Sequence, residues 1–131
     1  MARVPWSFLN DRPIIQIEFT LAQGGKASRT LLADTGAGTA KGPFELILEE
    51  HDCLLFGGSF AQTVKLSGAY AGSFPRYLLL AEIPVIQFSG DVFAIGVTAP
   101  PKGLDGIAGI RFLNRFTYGN FGNPTEFGLE T

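Results

Sequence analysis

Apolar residues in this chain come in short runs rich in β-branched and aromatic side chains, and most runs are cut off by glycine or proline. That pattern predicts strand after strand. Pro13 to Ala22 ("PIIQIEFTLA") alternates partly, Gly24-Gly25 turns the chain, and Ser28 to Ala33 ("SRTLLA") returns, so the two runs form a hairpin. Phe44 to Phe56 ("FELILEEHDCLLF") fits a strand or a short helix, and Gly57-Gly58 breaks it. Ala61–Leu66 ("AQTVKL") and Arg76–Ile83 ("RYLLLAEI") are predicted strands around the glycine-rich turn "SGAYAG", followed by another strand, "VFAIGV", at 92–97. Pro100, Pro101 and Gly103 mark a loop. Asp105 to Phe116 starts glycine-rich and continues as a short helix with Ile110, Leu113 and Phe116 on one face. The tail from Phe121 reads as a terminal strand.

An all-β chain of 131 residues is one domain's worth of sequence, 1–131, and is long enough to bury a core without staples. Ten basic residues against twelve acidic ones are spread along the chain. No basic stripe points to nucleic acid. No apolar run approaches the ~18 residues of a membrane span, and the N-terminus has no apolar signal core. The expectation is a soluble, cytoplasmic protein without a membrane or nucleic-acid partner. One cysteine, Cys53, excludes an internal disulfide framework.

The stretch Leu31 to Ala40, "LLADTGAGTA", breaks the pattern by setting a carboxylate directly after a buried-type run. Asp-Thr-Gly is good turn chemistry, so Asp34 alone fits an Asx-turn at a strand end. Gly36, Gly38 and Gly42 after a strand suggest a phosphate-binding turn. The surrounding β-after-β pattern lacks βαβ units, and Lys41 is followed by Gly42, not Ser or Thr. A third reading rests on three elements in order. They are Asp34-Thr35-Gly36-Ala37 after a hydrophobic strand, a glycine-tipped hairpin across Val64–Leu80, and Ile107-Ala108-Gly109 leading into a helix. Over Pro13–Phe116 the chain thereby resembles the retropepsin-like (retroviral-type) aspartic protease family. Gly38 and Thr39 stand where retroviral members usually carry an Asp, and Ile110 precedes Arg111 where they have an Arg directly after the glycine. The likeness is therefore to bacterial or other cellular members.

That resemblance implies a closed acid-protease β-barrel with a flap hairpin and one short C-terminal helix, acting as a homodimer. Hydrolysis by this chemistry needs two carboxylates sharing one proton, because close like charges cannot both ionise. One activates water and the other protonates the carbonyl. Asp11, Asp52, Asp91 and Asp105 lack the Asp-Thr/Ser-Gly context. The partner of catalytic Asp34 is then Asp34 of a second copy across a two-fold axis. By resemblance, Thr35 interlocks with its twin, Gly36 and Ala37 shape the loop, and Gly109 packs behind it. Gly68, Ala69 and Tyr70 form the flap tip over an extended peptide or unfolded protein substrate. No cofactor or metal is implied.

Other residues carry weaker signals. Glu49, Glu50, His51 and Cys53 cluster, but one His and one Cys make a solvated acidic turn the better reading than a metal site. Asp105 reads as a turn residue, and Trp6 and Phe8 as an N-terminal arm packing onto the dimer. Ile83, Val85 and Ile107 are candidate apolar pocket walls. Two alternatives stand beside the endopeptidase. One is a catalytically silent module of the same fold that binds peptides or mediates dimerisation, and the other is a monomeric β-barrel binding domain.

Overall fold

A computed structural model of the chain describes residues 3–68, 71–124 and 126–131. Strands dominate: β1 (Arg3–Pro5), β2 (Ser7–Leu9), β3 (Arg12–Thr20), β4 (Lys26–Ala33), β5 (Leu46–Glu49), β6 (Ser59–Leu66), β7 (Gly72–Ile83), β8 (Phe88–Val97), β9 (Gly106–Ala108), β10 (Thr117–Gly119) and β11 (Gly128–Glu130). Two short helices, α1 (Glu50–Leu55) and α2 (Ile110–Leu113), and a 3-10 turn at Pro84–Ile86 complete the described elements. Among the described residues no helix is long and apolar enough to cross a membrane.

The large sheet runs β2-β3-β4-β9-β5-β8-β7-β6, and a further pairing of Phe19 with Ala81 joins β3 to β7. The strands β3, β4, β9, β5, β8 and β7 therefore form a closed ring, flanked by β2 and β6. A closed ring leaves no edge inside it and encloses one core. Ile17, Phe19, Leu31, Leu46, Leu48, Leu79, Phe112 and Leu113 fill that core. A smaller sheet, β1-β11-β10, joins the two ends of the chain.

The predicted hairpin is β3–β4, registered from Ile14–Leu32 to Thr20–Lys26 around Gly24-Gly25. The ambiguous run 44–56 is both things in series, strand β5 and then helix α1. Leu46, Ile47 and Leu48 are all buried because β5 lies between parallel β8 and antiparallel β9. A strand covered on both faces shows no alternation. Acidic Glu50 and Asp52 occupy the first turn of α1, where the helix dipole favours negative charge.

Strand β9 is absent from the pattern reading, since "GIA" has little strand propensity. Tertiary pairing makes it: Gly106–Ala108 runs parallel to Leu31–Ala33 and antiparallel to Leu46–Leu48. Space there is so tight that a Cβ on Gly106 would lie 2.1 Å from the Ile47 carbonyl oxygen. Helix α2 is shorter than expected, and its buried residues are Phe112 and Leu113. Phe112 turns inward because it packs edge-to-face on Phe88 and Phe116. At the N-terminus Trp6 is buried against its own chain, stacked on Phe127, and Phe8 is 51% exposed.

Candidate active site

Asp34 follows β4 directly. Its N–H donates to the Ala108 carbonyl at 2.9 Å, carrying the parallel β4–β9 ladder one residue past Ala33. The turn then closes twice. Ala37 N–H donates to the Asp34 carbonyl (3.1 Å), and Gly36 N–H donates to Asp34 Oδ1 (2.9 Å). That second bond is an Asx-turn. Among the described residues no donor bonds Oδ2. Asp34 is half-buried, while Thr35 and Gly36 are exposed.

Gly109 holds the loop from behind. Its N–H donates to the Glu45 carbonyl (2.9 Å), and the next residue, Ile110, donates to the Ala37 carbonyl (3.0 Å). A Cβ at Gly109 would sit 2.8 Å from that Ala37 oxygen, so only glycine fits without movement. The structure thus brings Asp34, Thr35, Gly36, Ala37 and Gly109 together.

In front of the loop lies a cleft of about 470 Å³. Asp34, Gly36, Ala37, Gly38 and Thr39 form one side, and Lys65, Leu66, Ser67 and Gly68 from the β6–β7 hairpin face them. Its apolar walls are Phe44, Ile47 and Ile107, part of a second hydrophobic cluster with Leu32, Val64 and Ile95. Gly68 therefore shares the Asp34 cleft; Ala69 and Tyr70 lie outside the described residues. Of the candidate pocket walls only Ile107 lines this cleft. Ile83 and Val85 line a separate hollow of about 280 Å³ with Val4, Ile14 and Leu129, because they sit at the far end of β7 from the hairpin tip.

Several supporting residues were not singled out from the sequence. Glu45 is 2% exposed, and its carboxylate takes a two-pronged ion pair from Arg115, with Nη2 at 3.0 Å from Oε1 and Nε on Oε2. It also accepts the Phe93 N–H at 3.3 Å. The signal was available as a lone carboxylate inside "PFELIL". Arg76 donates to the Pro43 carbonyl (3.0 Å) and Arg111 to the Gly42 carbonyl (2.6 Å), fixing the loop that leads into Phe44.

The acidic cluster around α1 is dispersed into structural roles. Cys53 is fully buried, the Glu50 carboxylate accepts the Tyr77 hydroxyl (3.0 Å), and Asp52 pairs with Arg29 through two bonds of 2.9 and 3.0 Å. Asp105, read as a turn residue, accepts the Thr30 N–H at 2.8 Å and ties the loop before β9 to β4.

Comparison with known proteins finds no matching family model, no matching curated protein and no matching solved structure.

Proposed function

We propose that the chain is an aspartic endopeptidase with a retropepsin-like fold, active as a homodimer in which the two Asp34 carboxylates share one proton. The observation that carries the reading is the Asp34-Thr35-Gly36 turn along one side of a cleft with apolar walls that the β6–β7 hairpin faces. The lock of Gly109 and Ile110 onto the Glu45 and Ala37 carbonyls holds that turn from behind. The exposed Thr35 and Gly36 leave the loop free to meet its copy across a two-fold axis.

In such a pair the charged carboxylate takes a proton from a water lying between the two. The oxygen of that water attacks the scissile carbonyl carbon, and the protonated carboxyl gives its proton to the carbonyl oxygen. Collapse of the tetrahedral diol breaks the C–N bond, and the amine leaves with a proton returned by the dyad. The reaction consumes one water and needs one proton on the pair, so the rate falls at both ends of the pH range. The cleft admits an extended segment between the loop and the hairpin.

The test is cleavage of an unfolded protein from acidic to neutral pH by the wild type and by Asp34→Asn. Loss of about 10²–10⁴-fold in rate in the variant supports the reading. Dimers that cut nothing at any pH overturn it in favour of the silent peptide-binding module.

A further inference from the structure

Among the described residues, ion pairs account for four of the chain's ten cations. Arg3, Lys26, Arg29 and Arg115 pair with Glu130, Glu82, Asp52 and Glu45. Arg12, Lys41, Lys65, Arg76, Lys102 and Arg111 have no carboxylate within ion-pair distance among the described residues. Of these six, Lys65 lines the Asp34 cleft, and Lys41, Arg76 and Arg111 belong to or bond the 41–43 loop beside it. Exposed Lys41 lies between Thr39 and Pro43, which both line the cleft. Arg76 and Arg111 donate to the Pro43 and Gly42 carbonyls with their guanidinium carbons 4.2 and 5.7 Å from the Phe93 ring centre. Carbonyls and a ring hold these groups in place without cancelling their charge. On the acidic side, Asp34 lines the cleft, and Glu45 points inward to Arg115. A chain of formal net charge −2 therefore sets Lys65 in its cleft, with Lys41, Arg76 and Arg111 at the 41–43 loop on its rim.

We infer that the cleft selects acidic segments, taking an extended peptide with an apolar side chain on Phe44, Ile47 and Ile107 and a carboxylate side chain beside it at Lys65. The inference rests on the endopeptidase reading for its peptide and deepens it. Adjacent side chains of an extended chain point to opposite faces. An apolar residue seated on the floor of the cleft therefore turns its neighbour toward the hairpin strand that carries Lys65. Low-dielectric walls concentrate the field of the rim, which speeds encounter with anionic peptides and slows it for cationic ones.

The experiment uses labelled octapeptides of Ser and Gln with a central Phe and with Glu, Gln or Lys next to it. Binding to Asp34→Asn protein is read by fluorescence anisotropy at low ionic strength, and cleavage of the same peptides by wild type is measured in parallel. The Glu peptide is expected to bind about fivefold more tightly than the Gln peptide, with the Lys peptide weakest. The advantage should shrink as salt is added, and Lys65→Glu in the same background should reverse the order. Equal affinity for the three peptides, no measurable binding of any, or an order untouched by Lys65→Glu overturns the inference. Glu-selective binding with no cleavage by wild type supports acidic selection while defeating the endopeptidase. Equal binding with equal cleavage does the opposite.

Discussion

At Gly109 a methyl group would press on the Ala37 carbonyl oxygen at 2.8 Å, and that oxygen belongs to the turn that positions Asp34. Gly109→Ala is expected to cost about 1–3 kcal/mol in urea unfolding, with a larger proportional loss of any cleavage activity, because the displaced turn carries the carboxylate. Cys53 gives a second residue-level expectation. Burial first, then the nearby charges of Asp52 and Glu50, push its thiol up to about 12 from an ordinary value near 9. Below that ordinary value the thiol is neutral in both folded and unfolded chains and adds no pH dependence. As pH rises from about 9 to about 12 the unfolded chain loses the proton and the native one keeps it, so stability falls across that window. Cys53→Ala should flatten this slope in alkaline unfolding curves. The native thiol should resist alkylating reagents that label it readily in denaturant.

At the scale of elements, the start of β5 is joined to the end of α2 through Glu45 and Arg115. The Glu45 backbone bonds Phe93 on β8 and Gly109 before α2, while its side chain bonds Arg115. Arg115→Met would strand a buried carboxylate with the Phe93 N–H as its remaining described partner. Since the Arg115 side chain is 35% exposed, water already tempers the pair. The expected cost is about 2–3 kcal/mol, below the usual figure for a fully buried pair. Adding Glu45→Gln should restore part of it, and a double-mutant cycle by urea unfolding measures the coupling. Arg115→Met should also loosen the Gly109 contact and so reduce activity more than a substitution on the outer face of β3 does.

For the whole molecule, the proposed dyad makes activity a property of pairs of chains. Specific activity should fall on dilution below the dimer's dissociation constant. Mixing wild type with increasing Asp34→Asn should suppress cleavage roughly as the square of the wild-type fraction, once subunits have exchanged. Sedimentation of the same samples links each loss to the population of dimers. A linear dependence on wild-type fraction, with activity unchanged on dilution, would mean that each chain works alone and that the second carboxylate is not Asp34 of a copy.

The sequence by itself determined the mostly-β character, the β3–β4 hairpin around Gly24-Gly25, the glycine-tipped β6–β7 hairpin and the placing of Asp34 at a strand end. Each follows from local chemistry, since β-branched runs favour extended backbone and glycine pairs favour turns. Three further features were decided by tertiary structure. Strand β9 exists because Gly106 can approach Ile47 between two neighbours that supply its hydrogen bonds, and its pairing of Ile107 with Ile47 spans 60 residues, which no local pattern reports. The split of 44–56 into strand and helix was hidden because β5 is buried on both faces and so lacks a period of two. The cleft walls Phe44, Ile47, Lys65 and Leu66 were not evident as site residues, and Ile83 and Val85 fell elsewhere, because closure of β3 on β7 fixes which ends of the strands face Asp34. Local propensity acts on neighbours in the chain, whereas a site is assembled from residues that only packing makes neighbours.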